Sequence, residues 1–128
     1  RHYDRAAPEA TDTPNQAINH AATAVQAAAA IAVQSLAAIP QLGFIHEDSG
    51  QSFVLDIADL FRDSITLPIA FAAASKALGG APDTIDRLVR REAATVFRKQ
   101  SVIPSMIDKI KVVLRMEEVD AAGRDSDA

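Results

Sequence analysis

A long alanine-rich stretch between two prolines constrains the fold of this chain more than any other feature. From Ala21 to Ile39 the 128-residue sequence is almost continuously apolar, is dominated by alanine and contains neither glycine nor proline. Alanine has the highest helix propensity, and its small side chain allows helices to pack closely. We therefore predict a first helix that begins at Asp12-Thr13-Pro14, where a capping side chain precedes a proline, and that ends near Ala38, before Pro40.

The remainder of the sequence also favours helices, since aromatic residues are few and no alternating strand pattern of useful length occurs. We predict a second helix capped by Ser52 and interrupted at Pro68, its continuation up to Gly79-Gly80, a third amphipathic segment opened by Asp83, and a last helix from Ser101 to about Met116. The expected fold class is all-α, a helical bundle. The expected apolar faces are Phe53, Ile57, Leu60, Phe61 and Ser64 on the second helix, and Ile85, Leu88, Val89, Ala93, Val96 and Phe97 on the third.

The same patterns divide the chain into three parts. We expect residues 1–12 to be an arm or linker remnant, residues 13–116 to form one helical domain, and residues 117–128 to be a disordered acidic tail. The stretch from Ala21 to Ile39 approaches the length of a membrane span, but it carries polar residues and has no basic or aromatic belt, so we favour a buried helix and no membrane. The absence of cysteine excludes a disulfide framework and suits the cytoplasm.

Candidate chemistry centres on one imidazole and several carboxylates. His46 precedes Asp56 by ten residues and Asp59 by thirteen, and Asp56, Asp59 and Asp63 would lie on one helical stripe. Neighbouring carboxylates repel one another unless a cation lies among them, and oxygen ligands with one imidazole suit Mg²⁺ or Mn²⁺. Spacing alone favours the plainer interpretation, a solvated acidic helix face with an unrelated loop histidine, because two aspartates three residues apart are common on amphipathic helices.

A second candidate is a basic stripe on the third amphipathic segment. Arg87, Arg91 and Arg98 project from one polar side, with Arg90 at its edge. Guanidinium groups fit phosphate oxygens bidentately, so this stripe is suited to a nucleic-acid backbone. The alternative is an ordinary solvated helix face. The net charge of −4 means that any nucleic-acid binding has to come from such a local patch.

Two sequence segments carry a resemblance to a known family. Gly43-Phe44-Ile45-His46, followed after a short loop by Ser52-Phe53-Val54-Leu55-Asp56-Ile57-Ala58-Asp59-Leu60, resembles the catalytic signature of the CRISPR-associated adaptation integrases in their type I-E form. The resemblance extends from Arg1 to about Glu118. It implies the C-terminal part of a helical catalytic domain, in which a loop carrying His46 precedes the helix of Asp56 and Asp59.

The resemblance also implies a function, which we state as an expectation. Such an enzyme would be a metal-dependent DNA endonuclease and integrase that uses Mg²⁺ or Mn²⁺ to insert spacer DNA into the CRISPR array. His46 and Asp59 would be metal ligands, Asp56 a neighbouring catalytic carboxylate, and a glutamate ligand would lie upstream of Arg1, so the chain alone would be an inactive fragment. The expected partners are double-stranded spacer and repeat DNA, a second copy in a homodimer and a small companion subunit. The expected DNA-binding residues are Arg62, Arg87, Arg90, Arg91 and Arg98.

Two other functions remain compatible with the sequence. One is a non-enzymatic helical interaction module, in which the first helix packs against a partner and Asp56 and Asp59 are only surface charges. The other is a different metal phosphohydrolase that cleaves small phosphodiesters without a DNA requirement.

Overall fold

The computed structural model describes the backbone of residues 8–38 and 47–127 and the side chains of residues 12–38 and 52–115. Within these residues the chain forms α1 (Pro8–Ala37), α2 (Glu47–Leu60), a π-helical segment (Arg62–Thr66), α3 (Leu67–Leu78), α4 (Ile85–Lys99) and α5 (Val102–Asp127). The described part contains no strand, so the all-α prediction is confirmed.

The alanine-rich helix α1 is the centre of the bundle. It contacts α2, the π-helical segment, α3, α4 and α5. Small side chains make this possible, because Ala17, Ala21 and Ala29 are completely buried and allow neighbouring backbones to approach closely. The largest fully buried side chains around them come from every other α-helix: Ile57, Ile69, Val89, Val102, Met106 and Ile110.

The boundaries of α1 differ partly from the prediction. The helix ends at Ala37, close to the expected Ala38, but it begins at Pro8 rather than at Asp12. Proline is favoured in the first turn of a helix because its missing N–H has no intrahelical partner there. Residues 8–12, predicted to belong to an arm, are therefore helical, and Pro14 lies inside the helix.

The second helix also starts earlier than expected, at Glu47 rather than after Ser52, since no proline stops the backbone from extending. Pro68 does interrupt it, as predicted, but the interruption takes a specific form. The N–H of Thr66 donates to the carbonyl of Phe61 at 3.2 Å, five residues back. This wider π turn accommodates the proline, which occupies the first turn of α3.

The core assignments were mostly correct. Leu88, Val89 and Ala93 are buried on α4, and Ile85, Val96 and Phe97 pack partly buried beside them. Leu60 was assigned wrongly, because it is 57% exposed where α2 ends and the π segment begins, whereas its neighbours Ile57 and Ala58 are buried.

The ends of α3 and α4 follow standard capping chemistry. At the end of α3, Gly80 has φ +99°, and the N–H of Ala81 donates to the carbonyl of Lys76 at 3.0 Å. The N-cap of α4 is Thr84, whose hydroxyl accepts from the N–H of Arg87 at 3.3 Å. Asp83, the predicted start, lies one residue before this cap.

The last helix extends beyond its predicted end. We expected helix to about Met116 and a disordered tail over residues 117–128, whereas the backbone of α5 remains helical to Asp127. No proline follows Met116, so nothing in the backbone chemistry forces the helix to end there.

Candidate functional site

Only the carboxylate part of the predicted His/Asp constellation can be placed. His46 lies outside the described residues. Asp56 and Asp59 are both exposed on α2, and the two residues between them, Ile57 and Ala58, are buried at 1% and 7%. The helix is therefore held against the core by the residues between the two carboxylates, which orients both aspartates towards the surface.

Asp59 borders a small cleft between α1 and the junction of α2 with the π-helical segment. The cleft has a volume of about 30 Å³, which admits one or two water-sized groups. Its floor is apolar and its remaining lining is polar, comprising one carboxylate, one guanidinium, one amide and one hydroxyl. The lining residues are Ala22, Val25, Gln26, Ala58, Asp59, Arg62 and Thr66.

The predicted stripe of three carboxylates is not reproduced at this cleft. Asp59 lines it, but Asp56 and Asp63 do not. Asp63 is the second residue of the π segment, where the regular helical period that would align it with Asp56 no longer applies. The side chains that share the cleft edge with Asp59 are instead Arg62 and Thr66, three and seven residues further along the chain.

The donors at the cleft fit a hard divalent cation in kind but not in number. A carboxylate, an amide oxygen and a hydroxyl are all oxygen ligands that Mg²⁺ accepts. Among the described side chains, no group of three or more histidine, cysteine, aspartate or glutamate residues is placed to hold a metal ion. Asp59 would therefore need further charged ligands to form a complete Mg²⁺ or Mn²⁺ site.

The basic stripe on α4 is largely paired with carboxylates at the start of the same helix. Arg91 contacts Asp83 at 2.9 Å, Arg87 contacts it at 3.9 Å, and Arg90 contacts Asp86 at 2.8 Å. These ion pairs are exposed and individually weak, but they offset the positive charge that the sequence pattern suggested. Asp86 also lies 3.6 Å from Nδ1 of His20 on α1.

Two of the five predicted DNA-binding arginines are not paired with a carboxylate of the described residues. Arg62 and Arg98 form no ion pair with any described side chain. Arg62 lies at the cleft beside Asp59, whereas Arg98 lies in the last turn of α4. The structure thus does not bring the five arginines together as one equivalent set.

Sequence reasoning missed Gln26 and Thr66 as site residues. Gln26 is one of the polar residues that interrupt the apolar stretch from Ala21 to Ile39, and Thr66 belongs to no sequence motif. A signal existed for Gln26, because a polar residue inside an alanine-rich helix needs an exposed position. Nothing in the sequence could indicate that these two residues, 40 positions apart, line the same cleft.

Comparison with curated proteins identifies similar chains. The sequence is 32% identical over 120 residues to the CRISPR-associated endonuclease Cas1 of Geobacter sulfurreducens, covering 94% of this chain and 38% of that protein. It is 31% identical over 128 residues to the Cas1 endonuclease of Escherichia coli strain K12, covering 100% of this chain and 41% of that protein. A Cas1 endonuclease of Rhodospirillum rubrum is 32% identical over 117 residues.

The similarity covers only part of the length of these proteins, and two other comparisons found no match. No family model matches the sequence, and no solved structure matches it. No helix of the described residues is long and apolar enough to cross a membrane. The chain spans about two fifths of the length of the curated relatives that it matches. Over nearly all of its own length, therefore, this chain is similar to a part of the CRISPR-associated Cas1 endonucleases, which confirms the family resemblance that its sequence motifs indicated.

Proposed function

We propose that this chain is part of a metal-dependent DNA endonuclease and integrase of CRISPR adaptation, which inserts spacer DNA into the CRISPR array. The observation that carries the proposal is the similarity to proteins named CRISPR-associated endonucleases, at 31–32% identity over 90–100% of the chain. Because the chain spans only about two fifths of those relatives, the complete activity would require the remainder of such a protein.

Under this proposal, the residues take the roles that the family resemblance implies. Asp59 would hold Mg²⁺ or Mn²⁺ together with His46 and a glutamate from the remainder of the protein. Bound there, the cation would supply charge for activating a hydroxyl and stabilising the leaving oxygen. Arg62, unpaired among the described side chains and lining the same cleft, would bind and orient the DNA phosphate. Asp56, one turn before Asp59, would add negative charge near the cation.

The remaining parts of the proposal concern partners. The substrates would be double-stranded spacer DNA and the repeat, with phosphate contacts from Arg98 and from the paired arginines Arg87, Arg90 and Arg91. Those three would have to exchange their carboxylate partners for phosphates, which exposed and weak ion pairs allow. The active assembly would be a homodimer with a small companion subunit.

The test is strand transfer of a labelled DNA duplex into a repeat-containing plasmid in the presence of Mn²⁺. The chain would be assayed alone and with the remaining part of a Cas1 relative and the companion subunit. We expect joining only in the complete mixture, and its loss in Asp59→Ala. Asp63→Ala is the matched control, since it removes another exposed carboxylate that does not line the cleft. Equal activity of both variants would contradict the assignment of Asp59.

One observation favours a second function, that of a non-enzymatic interaction module. Phe71 and Leu78 on α3 are 58% and 64% exposed, and large exposed apolar side chains occur at protein interfaces. The two functions differ in their response to metal. In the mixture that contains the remaining part of a Cas1 relative, an integrase predicts that Mn²⁺ raises the melting temperature and that Asp59→Ala removes this effect, whereas an interaction module predicts no response to Mn²⁺.

A further inference from the structure

The cleft beside Asp59 contains a buried hydroxyl whose hydrogen-bonding capacity is unused. Thr66 is 2% exposed, and its hydroxyl takes part in none of the hydrogen bonds of the described residues. Every described side-chain oxygen or nitrogen that is fully sealed from solvent has a partner, so the hydroxyl oxygen of Thr66 must keep its access through the cleft. A hydroxyl that bonds no protein group and opens only into the cleft is available to donate to a ligand that enters there.

Two further donors surround the same space. Gln26 reaches it from α1, and Arg62 from the π-helical segment. Neither side chain forms a hydrogen bond or ion pair with a described residue. The cleft is therefore bordered by three free donors of different types, a guanidinium, an amide N–H and a hydroxyl. Three residues that border one cleft and carry free donors suit the oxygens of a phosphate group.

The size of the cleft determines which part of a nucleic-acid strand can enter it. A volume of about 30 Å³ accepts one or two water-sized groups, but it is too small for a nucleotide base or sugar. One non-bridging oxygen of a phosphodiester fits this space while the rest of the strand stays outside. We infer that Gln26, Arg62 and Thr66 form a subsite for a backbone phosphate of a nucleic-acid strand that passes between α1 and the π-helical segment. This inference extends the proposed function, since that strand would be the DNA on which the enzyme acts.

Asp59 gives the subsite a distinctive electrostatic property. Its carboxylate lines the same cleft and repels a phosphate unless a cation neutralises it. Phosphate binding is therefore coupled to the charge at Asp59. Removing that charge by Asp59→Asn should strengthen DNA binding in the absence of any divalent cation, the opposite of what the loss of an ordinary polar contact does.

The experiment measures binding of a short fluorescent DNA duplex to the 128-residue chain by anisotropy, in EDTA and at low salt. We expect Asp59→Asn to bind about fivefold more tightly than the unchanged chain. In the Asp59→Asn background, Thr66→Val and Gln26→Leu should each weaken binding by about threefold to tenfold. Arg62→Gln should also make the slope of log affinity against log salt concentration shallower, by the amount expected for about one phosphate contact.

Matched controls separate these effects from general damage to the helices. Thr95→Val makes the same change on α4, where the hydroxyl is bonded to the carbonyl of Arg91, and Gln34→Leu makes the same change at an exposed position of α1 outside the cleft. Both should leave DNA affinity unchanged, and circular dichroism should report equal helix content for all variants. If Thr66→Val and Gln26→Leu bind DNA as Thr95→Val and Gln34→Leu do, the subsite is refuted.

The source of the phosphate is tested by competition. Inorganic phosphate at constant ionic strength should displace the duplex from Asp59→Asn only weakly, because a free phosphate lacks the neighbouring strand contacts. Complete displacement at low millimolar phosphate would overturn the assignment to a nucleic-acid strand. These measurements need neither metal nor catalysis, so strand transfer can fail while the subsite holds, and the subsite can fail while strand transfer is observed.

Discussion

Overpacking of the central helix provides the sharpest test of how this bundle is held together. Ala29 on α1 is 0% exposed, whereas Ala27, two residues earlier, is exposed. Changing either residue to leucine adds three carbon atoms to the same helix. If Ala29 had room for them, their burial would stabilise the fold by about 2.4 kcal/mol at 0.8 kcal/mol per carbon. In a close-packed site the same atoms displace neighbouring helices and cost about 1–3 kcal/mol.

We expect the destabilising outcome, because Ala29 is completely buried on a helix that contacts every other helix. Ala29→Leu should lower the free energy of unfolding by about 2 kcal/mol, which for a domain of this size lowers the melting temperature by roughly 6–10 °C. Ala27→Leu should change stability by less than about 0.5 kcal/mol, since leucine has nearly the helix propensity of alanine. Urea and thermal unfolding followed by circular dichroism measure both. Equal stability of the two variants would refute the close-packed arrangement around α1.

The remaining predictions concern one turn and two arginines. Gly80→Ala should destabilise the fold by about 1–2 kcal/mol, because φ is +99° there although a methyl group would meet no atom within 4 Å; unchanged urea unfolding would show that the turn relaxes to another conformation. Arg98→Gln should weaken DNA binding more than Arg90→Gln, because Arg90 is already paired with Asp86 whereas Arg98 pairs with no described carboxylate. Anisotropy at two salt concentrations compares them, and a larger effect of Arg90→Gln would contradict the importance of the pairing.

The order of helices could be predicted from local chemistry. Pro68 and Gly79-Gly80 were predicted to interrupt helices through their backbone properties, and the structure has helix boundaries at both places, whereas Pro40 lies outside the described residues. The detailed geometry at Pro68 was not predictable. Whether a helix accommodates proline by a kink, a break or a π turn depends on what packs around it, so the π turn between α2 and α3 could not be derived from periodicity.

The candidate site also combines features that could be predicted from the sequence with features that could not. Asp59 could be selected from a motif within one short segment, and the pairing of Arg90 with Asp86 could have been anticipated from their four-residue spacing on one helix. The approach of Gln26 to Thr66 could not, because it depends on how α1 lies across the junction of two later segments. The apolar pattern shows that α1 is buried, but not which of its faces meets which partner.

The central position of α1 also affects how the chain folds as it is synthesised. Because α1 precedes the other described helices in the chain, it is synthesised before them and needs them to cover its surface, including Met106 and Ile110 of α5. About 70 residues separate the end of α1 from Ile110, so at 5–20 residues per second the alanine face of α1 would wait about 4–15 s for its last partner. During that interval nascent α1 is a target for chaperones. Late truncation should therefore impair folding far upstream of the deleted residues.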